Sequence, residues 1–118
     1  MATTQSILKT IKEACGIVPD YTAFDPQLIV DVNSAFSTLH QLGYGPAGGF
    51  AISGEDETWS MVIKSNRFNF LKQYIIMKAH VMFDPPASSI AMDALKTQIA
   101  EIEWRITSEV ECYGEEDT

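Results

Sequence analysis

Cysteine is scarce in this sequence, and its placement indicates neither a bound metal nor a disulfide framework. Cys15 and Cys112 stand near opposite ends of the 118 residues, with no C-x-x-C spacing and no histidine close to either in sequence. Paired or clustered cysteines are what zinc sites and disulfide scaffolds require. We therefore expect two reduced thiols in a cytosolic setting.

Long hydrophobic runs are also missing. No segment approaches the length of about 18 consecutive apolar residues that indicates a transmembrane helix. The first residues, MATTQSILK, lack the basic stretch followed by an apolar stretch that is typical of a signal peptide. We expect a protein that neither spans a membrane nor is exported by a signal peptide.

Positive charge is in short supply. Eight lysines and arginines stand against 16 acidic residues, which gives a formal charge of −8. This sign is wrong for a protein that holds DNA or RNA through phosphate contacts. Four bases fall between residues 64 and 78 (Lys64, Arg67, Lys72 and Lys78), where solvated side chains are a simpler interpretation than a basic strip. We expect no specific binding of nucleic acid.

The sequence does contain a series of helical patterns, and the first two come before residue 43. Between residues 4 and 15 the apolar residues recur on one face, and Gly16 follows as a cap. Asp25 before Pro26 combines a favoured N-cap with a proline at the first helical position. We therefore predict a second helix from Pro26 to about Leu42, which Gly43 ends.

The later helices are predicted in the same way. A short helix is expected to hold Trp59, Val62 and Ile63, and a third long helix, capped by Ser65, to run over residues 66–83 until Asp84 and two prolines stop it. Because this helix has two apolar rows, we predict that it is central to the domain. A last helix is predicted from Ser88 or Ser89 to about Glu109, with Trp104 off its apolar row.

These patterns predict an all-α fold. The expected architecture is a small helical bundle of three long helices plus one or two short ones, with a long glycine-rich loop insertion at about residues 43–58. Residues 1–110 are expected to form a single helical domain, because no second domain boundary is apparent. Residues 111–118 are expected to form an acidic, flexible C-terminal tail.

The glycine-rich stretch QLGYGPAGGF, residues 41–50, contains the spacing G-x-G-x-x-G of dinucleotide-binding loops in Gly43, Gly45 and Gly48. That motif functions only when a strand precedes it and a helix begins within it. Here a predicted helix precedes it, Pro46 interrupts it, and extended chain is expected after it. We therefore do not expect nucleotide binding.

The remaining polar residues do not indicate catalysis. His40 and His80 have no second metal ligand at helical spacing, and His80 with Asp84 is more typical of a structural pair at a helix end than of a catalytic one. Glu101 and Glu103 cannot face each other on a helix, whereas Glu101 and Arg105 have the spacing of an ion pair. We expect no catalytic residue, no metal, no cofactor and no enzymatic activity.

Four segments, taken in order, have a more specific pattern. They are NSAFSTLHQLGYGPAGGF at 33–50, ETW at 57–59, YIIMKAHVMFDPP at 74–86 and EIEWRI at 101–106. Over roughly residues 6–110 they resemble the head-to-tail connector proteins of tailed bacteriophages and prophages, also called head-completion or adaptor proteins. Tyr44 stands where a small aliphatic residue is expected, and Val81 and Met82 replace a leucine pair, which leaves the subfamily open.

The resemblance implies a structural virion protein that acts in head completion and DNA packaging. Such subunits form a ring, typically twelvefold, that docks under the portal protein, extends the DNA channel and offers an attachment surface to the next connector, stopper or tail protein. Assembly in the host cytoplasm, or encoding by a prophage, is implied, and DNA is only the passing genome. The alternative from the residues alone is a small helical adaptor or regulatory subunit of another complex.

A ring requires each subunit to present two different contact surfaces. One candidate surface is the last helix at Trp104. The other is the 43–58 loop with Tyr44, Pro46, Phe50 and Trp59, because a long glycine-rich loop with aromatic residues is costly to order without a partner. The alternative, that these aromatic side chains pack on their own domain, remains open from the sequence.

Overall fold

Four α-helices and one short 3₁₀ turn make up the regular structure of the chain. The computed structural model describes residues 6–45, 48–63 and 68–113. The helices are α1 (Ile7–Ala14), α2 (Asp25–Gln41), α3 (Phe70–Phe83) and α4 (Ser89–Tyr113), and the 3₁₀ turn is Trp59–Met61. No strand occurs among the described residues, where Ser6 and Thr58 form only an isolated bridge. The predicted all-α fold is confirmed.

The short helix α1 begins where Ser6 caps it, since the Ser6 hydroxyl accepts the backbone N–H of Lys9 at 3.3 Å. Its apolar face is fully buried and includes Ile7, Leu8 and Ile11. Lys12 on the same helix is only 1% exposed, and its ammonium group donates to the carbonyl of Pro19 at 2.9 Å. The helix is therefore anchored through both apolar contacts and a buried charge.

The start of α2 differs from the sequence prediction. Phe24 precedes the helix and makes no side-chain cap, while Asp25, predicted to be the N-cap, is the first helical residue. The Asp25 carboxylate lies 3.0 Å from the Lys12 ammonium instead. A buried ammonium group without an opposite charge is strongly unfavourable. The Asp25 carboxylate therefore pairs with Lys12 and does not cap α2, whose first N–H groups can bind water instead. Pro26 occupies the first turn as predicted.

Helix α3 is the central element, as its two apolar rows predicted. It packs against α1, α2 and α4. Its side chains Leu71, Tyr74, Ile75 and Ala79 are buried, whereas Met82 in the last turn is 37% exposed. The predicted start at residue 66 lies outside the described residues. The helix ends at Phe83, before the two prolines, as predicted.

Helix α4 is about 37 Å long, close to the 39 Å long dimension of the whole chain. Ile99, Ile102 and Ile106 are buried against the rest of the molecule, but no residue from Ser89 to Gln98 is. The first part of α4 therefore stands away from the core. The helix also continues to Tyr113, beyond its predicted end at Glu109 and into the predicted tail. Residues 114–118 of that tail lie outside the described residues.

Candidate partner-binding surface

The glycine-rich loop begins where Gly43 ends α2. Gly43, Gly45 and Gly49 have positive φ angles of 103°, 107° and 84°, which glycine adopts without strain. A Cβ atom at Gly43 would lie 3.1 Å from a methyl carbon of Val110, so α4 passes close to this turn. The residues from Gly48 to Ala51 are not helical, and the glycines are therefore not followed by the helix N-terminus that a phosphate loop requires.

Tyr44 lies inside the chain's own core. Its side chain is 6% exposed, and its hydroxyl donates to the carbonyl of Val62 at 2.9 Å. Its ring centroid is 4.7 Å from that of Phe68. The aromatic ring fills space between the loop and the start of α3, while the hydroxyl satisfies a buried carbonyl.

Phe50 is half-buried, and its ring centroid lies 4.9 Å from that of Phe36 on α2. Nearby, the side-chain amide of Asn33 binds the backbone of Ile52 twice. It donates to the Ile52 carbonyl at 3.0 Å and accepts the Ile52 N–H at 2.7 Å. These contacts hold the extended piece predicted at residues 50–52 against α2, although it pairs with no strand in the described chain.

The far end of the loop is fastened to α1 at Trp59. This side chain is fully buried, and its indole N–H donates to the Thr10 hydroxyl at 3.0 Å. The backbone beside it is also joined to α1, because the N–H of Ile7 donates to the carbonyl of Glu57 at 3.0 Å. The Glu-Thr-Trp segment therefore holds the end of the loop against α1 through hydrogen bonds and a buried indole ring.

Glu57 also orders the loop through its carboxylate. The N–H and hydroxyl of Ser53 donate to one carboxylate oxygen at 3.1 and 2.9 Å, and the N–H of Gly54 donates to the other at 3.4 Å. Although desolvation acts to raise the pKa of Glu57, these hydrogen bonds lower the pKa below its ordinary value. The ionised form of Glu57 is thus the one that closes this turn.

The five residues predicted for partner contact occupy different environments. Tyr44 and Trp59 are buried and Phe50 is half-buried. In the isolated chain these three side chains therefore pack on their own domain, which is the alternative that the sequence left open. An interface role for these three stays a prediction that requires the loop to rearrange. Pro46 lies outside the described residues. Of the four members that the structure describes, Trp104 is the most exposed, at 70%.

Trp104 belongs to an exposed stripe on α4, which we call the Trp104 face. The stripe contains Ile90, Ala94, Thr97, Glu101 and Trp104. The spacings of three and four residues place them on one side of the helix, opposite the row of buried isoleucines. Its two large apolar side chains, Ile90 at 81% and Trp104 at 70% exposure, are about 21 Å apart along the axis.

The opposite side of α4 is held by Glu103. One oxygen of its carboxylate accepts the hydroxyl of Tyr74 at 2.8 Å and lies 3.0 Å from the ammonium group of Lys78. Burial first, then the hydrogen bond to Glu103 and its charge, raise the pKa of Tyr74 above its ordinary range. These contacts fix the rotation of α4 about its axis, and they direct Trp104 outward.

Two predicted pairs of polar residues are not formed. The Arg105 guanidinium lies 4.7 Å above the ring of Phe70 instead of pairing with Glu101, and a cation over an aromatic face is attracted by the ring. The N–H of Asp84 donates to the carbonyl of His80 at 2.8 Å, and no contact between their side chains is present. Glu101 is left exposed on the Trp104 face.

A second exposed group was missed by the sequence analysis. Tyr21 and Phe24 are 48% and 44% exposed, with ring centroids 5.5 Å apart in an edge-on arrangement. Phe24 in turn lies 5.3 Å from Phe83 at the end of α3. The signal in the sequence was the pair of aromatic residues within the connection YTAF, a segment that carried only turn predictions.

Side-chain clusters and the cavity beside the loop are also candidate sites for a metal or a small ligand. Within residues 6–45, 48–63 and 68–113, no three His, Cys, Asp or Glu side chains are arranged to hold a metal ion. A surface cavity of about 290 Å³ lies beside the loop and is lined by residues that include Asn33, Phe36, His40 and Gly49. Its lining contains no lysine or arginine.

Comparisons with known proteins give one clear relationship. A model of a family described as phage connector protein matches residues 7–112. No curated protein and no solved structure has a significant match to this sequence. In the part of the chain that the structure describes, no helix combines the length and apolar character needed to cross a membrane.

Proposed function

This chain belongs to the phage connector protein family, and from that premise we propose that it is a structural subunit of a phage head-to-tail connector. Membership of the family implies a structural component of the virion and contacts with other head or tail proteins. The proposed role is to assemble as a ring under the portal protein, to extend the DNA channel and to offer an attachment surface to the next connector, stopper or tail protein.

The observation that supports assembly most strongly is the position of Trp104. It stands 70% exposed on a helix whose rotation is fixed by Glu103 on the other side. Tryptophan is among the residues most enriched at the energetic centres of protein interfaces, because a rigid ring buries a large area with little loss of entropy. A tryptophan held in solvent by a rigid scaffold is therefore best explained by a partner that covers it.

A ring is built from heterologous contacts, in which a patch of one subunit meets a different patch of the next. We propose the Trp104 face as one patch and the 43–58 loop, with Phe50, as the other. Phe50 is half-buried and so retains accessible surface in the isolated chain. Tyr44 and Trp59 would then support the loop from within, unless the loop opens on assembly.

The charge of the chain supports a channel role. At −8 it repels the phosphate backbone of DNA, so a genome that passes the ring is not retained by it. The role assigned to DNA is therefore transit without binding. No catalytic step is part of the proposal.

Assembly is tested with the Trp104→Ala variant. Sedimentation velocity, run alone and with the portal protein of the same phage, is expected to show a ring for the wild type and its loss for the variant. Removal of a central tryptophan weakens an interface by about 2 to 4 kcal/mol, or roughly 30-fold to 1,000-fold in dissociation constant. The helical circular dichroism should stay unchanged.

The matched control is Val30→Ala, because Val30 is 61% exposed but lies on α2. It is expected to assemble as the wild type does. A wild-type chain that remains monomeric even with portal protein would contradict the proposal and favour an adaptor subunit of another complex. Equal loss of assembly in both variants would show that the effect is not specific to the Trp104 face.

A further inference from the structure

One end of the molecule carries an exposed aromatic cluster that the proposed ring contacts do not use. It consists of Tyr21, Phe24 and Phe83, which come from the α1–α2 connection, the residue before α2 and the last turn of α3. Val18, in the same connection, is 65% exposed and its carbonyl accepts the N–H of Tyr21 at 3.1 Å. We call this group the aromatic end. Exposed apolar groups of this kind mark contact sites when they are contiguous.

The side chains of the aromatic end are held in a defined arrangement. Both ring pairs, at 5.5 and 5.3 Å, have the edge-on geometry that aromatic side chains prefer. The backbone around them is closed by turns, in which Asp25 donates its N–H to Thr22 and Leu28 donates to Phe24 at 2.9 Å. The rings thus keep their places before any partner arrives, which reduces the entropy that binding would cost.

Exposed carboxylates stand next to two of these rings in sequence. Asp20 precedes Tyr21 and Asp84 follows Phe83, and both aspartates are exposed. Asp31 is buried at 7% exposure, with one carboxylate oxygen that has no hydrogen-bond partner. Burial first, and then the charges of Asp84 and Asp31, raise the pKa of the Cys15 thiol.

Little positive charge offsets these carboxylates. Lys12 is the cation that the described contacts place here, but it is 1% exposed and its charge is matched by Asp25 at 3.0 Å. Exposed Asp20 and Asp84, next to Tyr21 and Phe83 in sequence, form no ion pair with a described lysine or arginine, so a partner would meet apolar rings with free carboxylates beside them in the chain. Complementary potentials favour a partner with lysine or arginine beside an apolar side chain.

We propose that the aromatic end is a docking site for a basic, apolar segment of a protein other than this chain. The same end of a second copy is a poor occupant, because its own aspartates would be brought against Asp20 and Asp84. In a segment with lysine or arginine flanking a leucine or an aromatic residue, the apolar side chain contacts the rings and the basic side chain pairs with the aspartates. This inference stands on the geometry of that end and goes beyond the proposed ring, whose contacts lie elsewhere.

The test uses the full-length chain and a random peptide library displayed on yeast. Peptides selected by the wild type are expected to combine lysine or arginine with leucine, phenylalanine or tryptophan. A synthetic consensus peptide is then titrated by fluorescence anisotropy. Phe24→Ser is expected to weaken its binding by at least about tenfold, in line with the loss of an interface anchor.

Three further variants separate the contributions. Tyr21→Ser, in the connection, repeats the test should Phe24→Ser fail to fold, and Met61→Ser is the control, because Met61 is 51% exposed on the 3₁₀ turn. The control is expected to bind as the wild type does. Asp20→Asn with Asp84→Asn is expected to weaken binding and to reduce its dependence on salt, since fewer ion pairs remain to be screened.

Several results would overturn the inference. They are an acidic or uncharged consensus, no enrichment from the library, or equal binding by wild type and the Phe24 and Tyr21 variants. Self-association of the wild type that Phe24→Ser abolishes would instead make this end an interface between copies. The ring proposal is judged separately by Trp104→Ala, so a failure of either one is distinguishable from a failure of the other.

Discussion

At the scale of single residues, charged side chains decide how two of the connections between helices are held. Lys12 enters the core because Asp25 and the carbonyl of Pro19 both receive it, and this closes the α1–α2 connection. Glu57 closes the second connection by accepting hydrogen bonds from Ser53 and Gly54. In both places a charged side chain binds backbone groups that have no partner in a helix or a strand.

The Glu57 contacts predict how stability depends on pH. Because the folded-state pKa of Glu57 lies below its unfolded value, its contribution is present above the unfolded pKa and is lost as pH falls through the folded pKa. We expect Glu57→Gln to reduce the rise in the free energy of unfolding across the acidic range. Urea denaturation at several pH values measures this.

Glu55→Gln is the control for this prediction, because Glu55 lies in the same loop but faces Lys9 at 4.0 Å on the surface. A weak surface pair of this kind contributes little to stability. The wild-type pH dependence is expected to persist in this variant. An identical pH dependence in wild type and Glu57→Gln would show that the carboxylate does not order the turn.

At the scale of elements, α4 has two functional halves. Its second half packs through Ile99, Ile102 and Ile106 and is locked by Glu103, whereas its first half has no buried residue. A helix of this length gains most of its stability from packing and not from propensity. The first half is therefore free to contact another molecule without disturbing the core.

This division predicts unequal protection along α4. Backbone amides from residue 99 to 110 are expected to exchange with deuterium more slowly than those from 93 to 98, because only the packed half requires wider unfolding to open. Hydrogen exchange with mass spectrometry measures the difference. On assembly, protection should rise in the first half if the Trp104 face is covered. Uniform protection along α4 in the free chain would contradict the division.

The sequence predicted the elements better than their surfaces. Gly43 and the prolines after Asp84 end their helices locally, so the C-terminal ends of α2 and α3 were predicted to within a residue. The end of α4 was predicted too early, because the acidic residues after Glu109 indicated fraying, although no helix breaker occurs before Gly114. Local signals suffice for such boundaries only where a residue forbids the helix.

The candidate site was predicted only in part, for a physical reason. Trp104 lies off the apolar row of its own helix, so periodicity made it a candidate surface residue, while packing on its own domain stayed open until the structure placed it at 70% exposure. Burial of Tyr44 and Trp59 depends on Val62 and Thr10, whose positions no local pattern provides. The aromatic end joins Phe24 to Phe83, residues far apart in sequence, and contacts of this kind become visible only in the folded chain.

At the scale of the whole molecule, the chain presents separate surfaces on one small helical scaffold. The Trp104 face lies along α4, and the loop lies beside α2. The aromatic end lies where the α1–α2 connection meets the last turn of α3. A subunit that joins neighbours in a ring and also joins layers above and below requires this separation. Its acidic charge is compatible with DNA that passes without binding.

The connector role is tested by electron microscopy of particles from a phage that lacks this gene. A connector that joins head to tail is required after the head is filled, so we expect DNA-filled heads and free tails that do not join. Supply of the wild-type chain from a plasmid should restore complete virions, and supply of Trp104→Ala should not, whereas Val30→Ala should. Normal tailed virions in the absence of the chain would contradict the account.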